Sequence, residues 1–168
     1  ALHYLERYAS STDNLRRVLQ RRTDRSARLH GTDRDEAAGW IDAIVGRLTA
    51  AGLLDDRAYA ETRAASLQRH GASRRKIAGM LQQKGVDADT VAAALEALER
   101  DLPSPDLDAA IRFARRRRLG PWRPDEKREE RRERDLAALA RAGFSYSLAH
   151  RIVDADSVEA LEDALFEQ

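Results

Sequence analysis

Cysteine is absent from this chain of 168 residues, which excludes disulfides and thiolate metal sites. No apolar run approaches the roughly 20 residues that a membrane-spanning helix needs. No signal peptide is recognisable, and the expected setting is the cytoplasm, away from any membrane. Aromatic residues make up only 5% of the sequence, whereas Ala, Leu, Arg and Glu are abundant. These residues lose little rotamer freedom in a helix and favour it. Charge of one sign is not in excess either: 30 Lys and Arg face 29 Asp and Glu, for a net charge of +1. Overall balance makes no case for nucleic-acid binding, so any such case rests on how the charges are distributed.

Motifs that carry chemistry are missing as well. Neither G-x-x-x-x-G-K-[ST] nor G-x-G-x-x-G occurs, so no glycine-rich loop is present to cradle a phosphate. His3, His30, His70 and His150 stand alone, without metal-ligand spacing. Asp55-Asp56 could pass for a carboxylate pair in acid–base work. Neighbours at a helix start point apart, however, and their place after Gly52 reads as capping that also suits the helix dipole. The expectation is a binding protein with no catalytic residue, no metal and no cofactor.

What is present is a helical pattern from end to end, with no convincing strand. Apolar residues are 42% of the chain and charged residues 35%, which fits a core spread along an elongated array with long solvent-washed faces. Leu2, Leu5 and Ala9 share one helix face, and Leu15, Val18 and Leu19 another. Arg22 to Asp35 is polar and reads as a loop. Trp40, Ile41, Ile44, Val45 and Leu48 form an apolar stripe that places Trp40 in the core, with Gly52 as its stop. Asp55, Ser73 and Asp87 are positioned to cap three further helices, the first carrying Tyr59 as a core aromatic. Pro103 and Pro105 interrupt the pattern. After the turn at Gly120-Pro121-Trp122-Arg123-Pro124, Asp125 to Ala142 reads as one long charged helix, with pairs Glu130–Arg134 and Glu129–Arg132 along it.

The pattern repeats. Ser11-x-x-x-Leu15-x-x-Val18-Leu19 has the form of Ser73-x-x-x-Ile77-x-x-Met80-Leu81. The corner Lys84-Gly85-Val86-Asp87 returns as Ala142-Gly143-Phe144-Ser145: a glycine stop, an apolar residue that packs back, and a cap. Three units of about three helices follow, at 1–54, 55–102 and 103–168, each gaining stability by stacking on its neighbours. The fold class expected is all-α, an elongated curved array of three tandem three-helix repeats.

Basic residues clump once in each unit: Arg16, Arg17, Arg21 and Arg22; then Arg69, Arg74, Arg75, Lys76 and Lys84; then Arg115, Arg116, Arg117 and Arg118 with Arg123. Arginine's planar fork pairs with carboxylate or phosphate in a bidentate way, which suits interfaces. Solvated helix faces are the plain alternative, and for Arg16 to Arg22 the two readings are even. Four consecutive cations at 115–118 repel one another unless something anionic meets them. Trp122, in a proline-bounded turn beside them, reads either as a stacking contact or as a lid over the third unit.

The order of Gly52-Leu53-Leu54-Asp55-Asp56, Tyr59-Ala60, Gly71, Ser73, Arg75, Lys76-Ile77, Leu81 and Lys84-Gly85-Val86 resembles the central repeat of the RecX family. Ala1-Leu2-x-Tyr4-Leu5 with Ser11 and Leu15 is similar to its first repeat, and Arg116-Arg117-Arg118-Leu119-Gly120 and Gly143-Phe144-Ser145-Tyr146 to its third. The chain departs from the family pattern at Val18, Leu119 and Ala142. The resemblance implies a regulator, not an enzyme. It implies binding in the groove of the helical filament that RecA forms on single-stranded DNA, limiting filament growth, ATPase and strand exchange. The implied partners are that filament and single-stranded DNA, contacted directly or through it, with the regulator acting as a monomer. Two other readings stay open from the residues: a helix-turn-helix-like module that places Arg74–Lys84 in the major groove of DNA, and a helical adaptor for another protein.

Overall fold

The computed structural model describes residues 1–102 and 104–166, the last by its backbone alone; the break expected at Pro103 lies outside them. Among the described residues there is no strand, and the α-helices are α1 (Leu2–Leu5), α2 (Thr12–His30), α3 (Arg34–Ala50), α4 (Asp56–Arg69), α5 (Arg74–Gln83), α6 (Ala88–Asp101), α7 (Pro105–Arg117), α8 (Arg128–Arg141), α9 (Tyr146–Val153) and α10 (Val158–Phe166). No helix among them is long and apolar enough to cross a membrane.

Apolar spacing gives three separate cores. Leu15, Ile41, Val45, Leu48 and Leu54 close the first, and Ile77, Leu81, Val91 and Leu98 lie at the centre of the second. The third, the largest, gathers Leu107, Ile111, Phe113, Leu139, Phe144 and Ile152. An array of this kind exposes more surface than a sphere. The accessible area is 10597 Å², against about 8,300 Å² expected for a compact chain of this mass.

The caps behave as their sequences dictate. Asp55 accepts from the Ala58 N–H, Asp87 from Thr90 and Ser73 from Lys76, each satisfying a helix-start donor that has no intrahelical partner. Ser11 does the same for Asn14. The two serines also reach out of their own units. Ser11 Oγ donates to the Lys84 carbonyl and Ser73 Oγ to the Ala142 carbonyl, 2.7 Å in the second case. A second bond repeats beside each: Thr12 N–H to Asp56 and Arg74 N–H to Asp106, both 2.7 Å. The glycines of the two corners leave room for this. At Gly143 (φ +92°) a Cβ would stand 2.6 Å from Ser73 Oγ, and at Gly85 it would fall inside the Asp13 side chain.

The second joint is further packed by helices. α4 and α7 run against each other, and Gly71 lies so close that a Cβ there would be 3.1 Å from the α7 backbone. Across the first joint no two helices among the described residues pack in this way. Arg17 and Lys84 add only polar ties there, to the Gln83 carbonyl (2.8 Å) and to Asn14 (3.3 Å).

Four expectations are corrected. The polar stretch from Arg22 is not a loop: α2 continues to His30 and ends at a left-handed Gly31. It has too few apolar residues to show a stripe, but local bonds hold it, including Gln20 to Asp24 and Ser26 to Thr32. Trp40 is not core but 52% exposed. The face that α3 buries is made by Ala37, Ile41, Val45 and Leu48, and Trp40 lies outside it. The apolar face expected at Leu2, Leu5 and Ala9 is not formed either: Ala9 lies outside any helix, and Leu2 is exposed. Finally, Asp125–Lys127 is a 3₁₀ turn and α8 starts only at Arg128. Among the described residues the i,i+3 and i,i+4 pairs expected along it do not form; Arg132 instead holds Asp154, the residue after α9, through both carboxylate oxygens, at 2.7 and 2.8 Å. Tyr59 is half-buried against the second core, and burial raises its hydroxyl pKa.

Two measurements check these packing assignments. Ser73→Ala removes a cap and orphans the buried Ala142 carbonyl, so it should cost about 2–3 kcal/mol, whereas Ser145→Ala, a cap that reaches no other unit, should cost about 1 kcal/mol. At about 2–4 °C per kcal/mol the two melting curves separate clearly; equal shifts would deny the joint its energetic role. The Arg132 fork, together with His150, holds Asp154 down to about 2 from its ordinary 3.8, against the opposing effect of burial. A carboxylate depressed in the folded state stabilises above its unfolded pKa and loses that contribution as pH falls through the folded one. The stability gap between the wild type and Asp154→Asn in urea should therefore be full at about pH 6 and should close as pH falls from about 4 to about 2.

Candidate functional site

The clusters separate once their partners are known. In the first, Arg16 pairs with Asp42 (3.2 Å) and Arg17 with Asp13 (2.6 Å), while Arg21 and Arg22 stay exposed on α2 without an ion pair among the described residues. In the second, Arg74 pairs with Glu99 and Lys84 serves the first joint, leaving Arg69, Arg75 and Lys76 exposed and without an ion pair among the described residues. In the third, Arg115 pairs with Glu162 at 3.3 Å. Arg116 donates to the His70 carbonyl (2.7 Å), which holds the side chain without neutralising it. Arg117 lies over the Phe113 ring at 5.6 Å, a favourable cation–π placement. Arg118 ends α7 in a left-handed conformation with its side chain exposed.

Arg123 belongs to the fold. Its fork grips Asp135, a carboxylate only 3% exposed, at 2.7 and 3.1 Å, and the Gly120 N–H completes the bonding. That pair fixes the Gly120–Trp122 turn to α8 and occupies the Arg123 fork. Trp122 is partly buried against the third core and acts as its lid, with part of the indole still accessible.

Lys76, Arg116 and Arg117 come together at the second joint, although Lys76 precedes the two arginines by 40 residues or more. Two adjoining concavities, about 250 and 200 Å³, share Lys76 and Phe113. Arg116 lines the first; Arg117 and Arg141 line the second. No carboxylate lines either. Cations from α5, α7 and α8 thus meet in one groove whose floor is the buried Phe113 ring, itself edge-on to Phe144 at 5.8 Å. Sequence reasoning missed Arg141, since a search for clumped charge passes over a lone arginine near a helix end. It missed Asp135 too, whose burial no local pattern announces. Among the described residues no group of His, Asp and Glu is placed to hold a metal ion.

A groove of this kind can receive an anion with several negatively charged oxygens, such as a phosphodiester, through charge-assisted bonds from more than one arginine. Comparison with known proteins agrees with the architecture. The family model for the second three-helix domain of RecX matches residues 55–95. The chain is 48% identical over 157 residues to the regulatory protein RecX of Myxococcus xanthus, covering 93% of this chain and 83% of that protein. It is 43% identical over 112 residues to the regulatory protein RecX of Agrobacterium fabrum, covering 67% and 57%, and 39% identical over 126 residues to that of Thermobifida fusca, covering 71% and 64%. No solved structure matches. With nearly half of its residues shared along almost its full length, this chain belongs to the RecX family of regulatory proteins.

Proposed function

We propose that the chain binds the RecA–single-stranded DNA filament as a monomer, lies in its groove, and restrains filament growth, ATPase and strand exchange by occupancy rather than by catalysis. The observation that carries this reading is the acid-free basic groove at the second joint, formed by Lys76, Arg116, Arg117 and Arg141. Uncompensated cations on three helices favour a polyanion, and each phosphate they neutralise releases condensed counterions. Arg69, Arg75 and Arg118, exposed and without an ion pair among the described residues, extend the basic surface. The division into units at 1–54, 55–102 and 103–168 is part of the proposal, since the groove exists only where two units meet.

The helix-turn-helix reading fares less well. Such a reader inserts the start of its recognition helix into the major groove. Here the start of α5 is covered by the Gly143 corner of the third unit, and its Arg74 is engaged by Glu99 and Asp106.

The test is RecA's DNA-dependent ATPase with the protein titrated in at substoichiometric amounts. Wild type should lower it in proportion to dose. The triple variant Lys76→Ala, Arg117→Ala, Arg141→Ala should bind the filament at least about tenfold more weakly. It should also lose about two from the slope of log affinity against log salt, at about 0.7 per phosphate on a single strand, with its melting curve unchanged. An unaltered salt slope would remove this groove from the binding site. Inhibition of a RecA-free DNA reaction of equal strength would favour a module acting on DNA directly.

A further inference from the structure

The groove at the second joint has a counterpart one unit earlier. A depression of about 460 Å³ opens between the residues after α1 and the outer face of α4. Leu5, Ala9, Arg63 and Ser66 line it from the repeat positions that Leu67, Gly71, Phe113 and Arg116 hold at the second joint. The two grooves differ in what fills them. At the second joint Gly71 admits the α7 backbone, and Phe113, only 7% exposed, plugs the space. At the first, Ala9 stands for Gly71 and Tyr59 for Ala109, which holds the helices apart. An exposed Arg63 replaces the phenylalanine, so the plug is missing and the cavity remains. Tyr8 and Leu53, 57% and 56% exposed, leave apolar surface on its rim.

We propose that this groove receives an aromatic side chain of a partner protein, seated where Phe113 sits one unit later, with a carboxylate beside it paired to Arg63. The repeat itself shows the shape that this site accepts. Charge complementarity supplies the second half of the argument. Among the described residues Arg63 makes no ion pair, while Asp55 across the groove keeps its charge but turns it to the start of α4, where it accepts the Ala58 N–H, so Arg63 is the charge left to meet a partner. A nucleobase is a poorer occupant, because it brings a phosphate to a groove with one cation where the second joint has four. The array then divides its labour: the second joint faces nucleic acid, and the first faces protein. The proposal rests on the filament reading for the identity of that protein, RecA.

The experiment uses two variants of the whole chain. Ala58→Trp, at an exposed position lining the groove, fills it from within, and Arg63→Glu reverses its charge at the surface. Each is measured for binding to RecA with and without single-stranded DNA and, separately, to bare single-stranded DNA, with melting temperature as the check on folding. Both should bind RecA at least about tenfold more weakly, as loss of a central anchor does, and should bind bare DNA as wild type does. Arg63→Glu with wild-type affinity for RecA overturns the proposal. A loss confined to bare DNA also overturns it, since the groove would then hold a base. Wild type that binds DNA but never RecA would instead overturn the filament reading, and with it the partner named here.

Discussion

Helix ends carry four N–H and four C=O groups that no helix can satisfy for itself, and this array joins its units through them. A serine hydroxyl accepts from the N–H groups of the helix it caps and at the same time donates to the carbonyl that ends the corresponding helix of the next unit. An aspartate could do only the first, having no proton to give. Both joints use serine, and Ser145 caps α9 without such a bond. Ser11 and Ser73 stand at the joints, while Asp33, Asp55 and Asp87 cap helices whose starts donate no such bond. The glycine corners follow from the same constraint, because any side chain there would occupy the place of the approaching helix start. With these contacts removed, three small cores would remain, each too exposed to be stable on its own.

Much of this was legible in the sequence. The repeated spacing from Ser11 and Ser73 and the two glycine corners announced the unit before any coordinates did, since caps and left-handed turns depend on residue type and position alone. The second half of α2 was not legible, for its helix is held by side-chain bonds to the backbone and by polar pairs rather than by an apolar stripe. Trp40 was misread for a different reason. Its neighbourhood is apolar and periodic, but the stripe is wider than the face that the neighbouring helix covers, which takes in only Ala37, Ile41, Val45 and Leu48.

The basic residues teach a related lesson about the site. Clumping along the chain drew attention to 115–118, yet these four arginines have four different fates: an ion pair to α10, a bond to a carbonyl, a place over an aromatic ring, and a helix terminus. Arg123 looked like their neighbour in function and is instead bound to a buried carboxylate. What distinguishes the groove is the absence of acid around cations that three different helices contribute. That property belongs to tertiary proximity, and only Lys76, Arg116 and Arg117 of its members were visible one by one.

The two joints share their hydrogen bonds but not their stiffness. The second is a bonded seam reinforced by helix against helix, so the second and third units flex as one beam. The first is a seam alone, with a void beside it where the beam has solid filling. Bending near Ser11 and Asp56 therefore meets polar bonds alone, whereas bending near Ser73 and Asp106 also has to part α4 from α7.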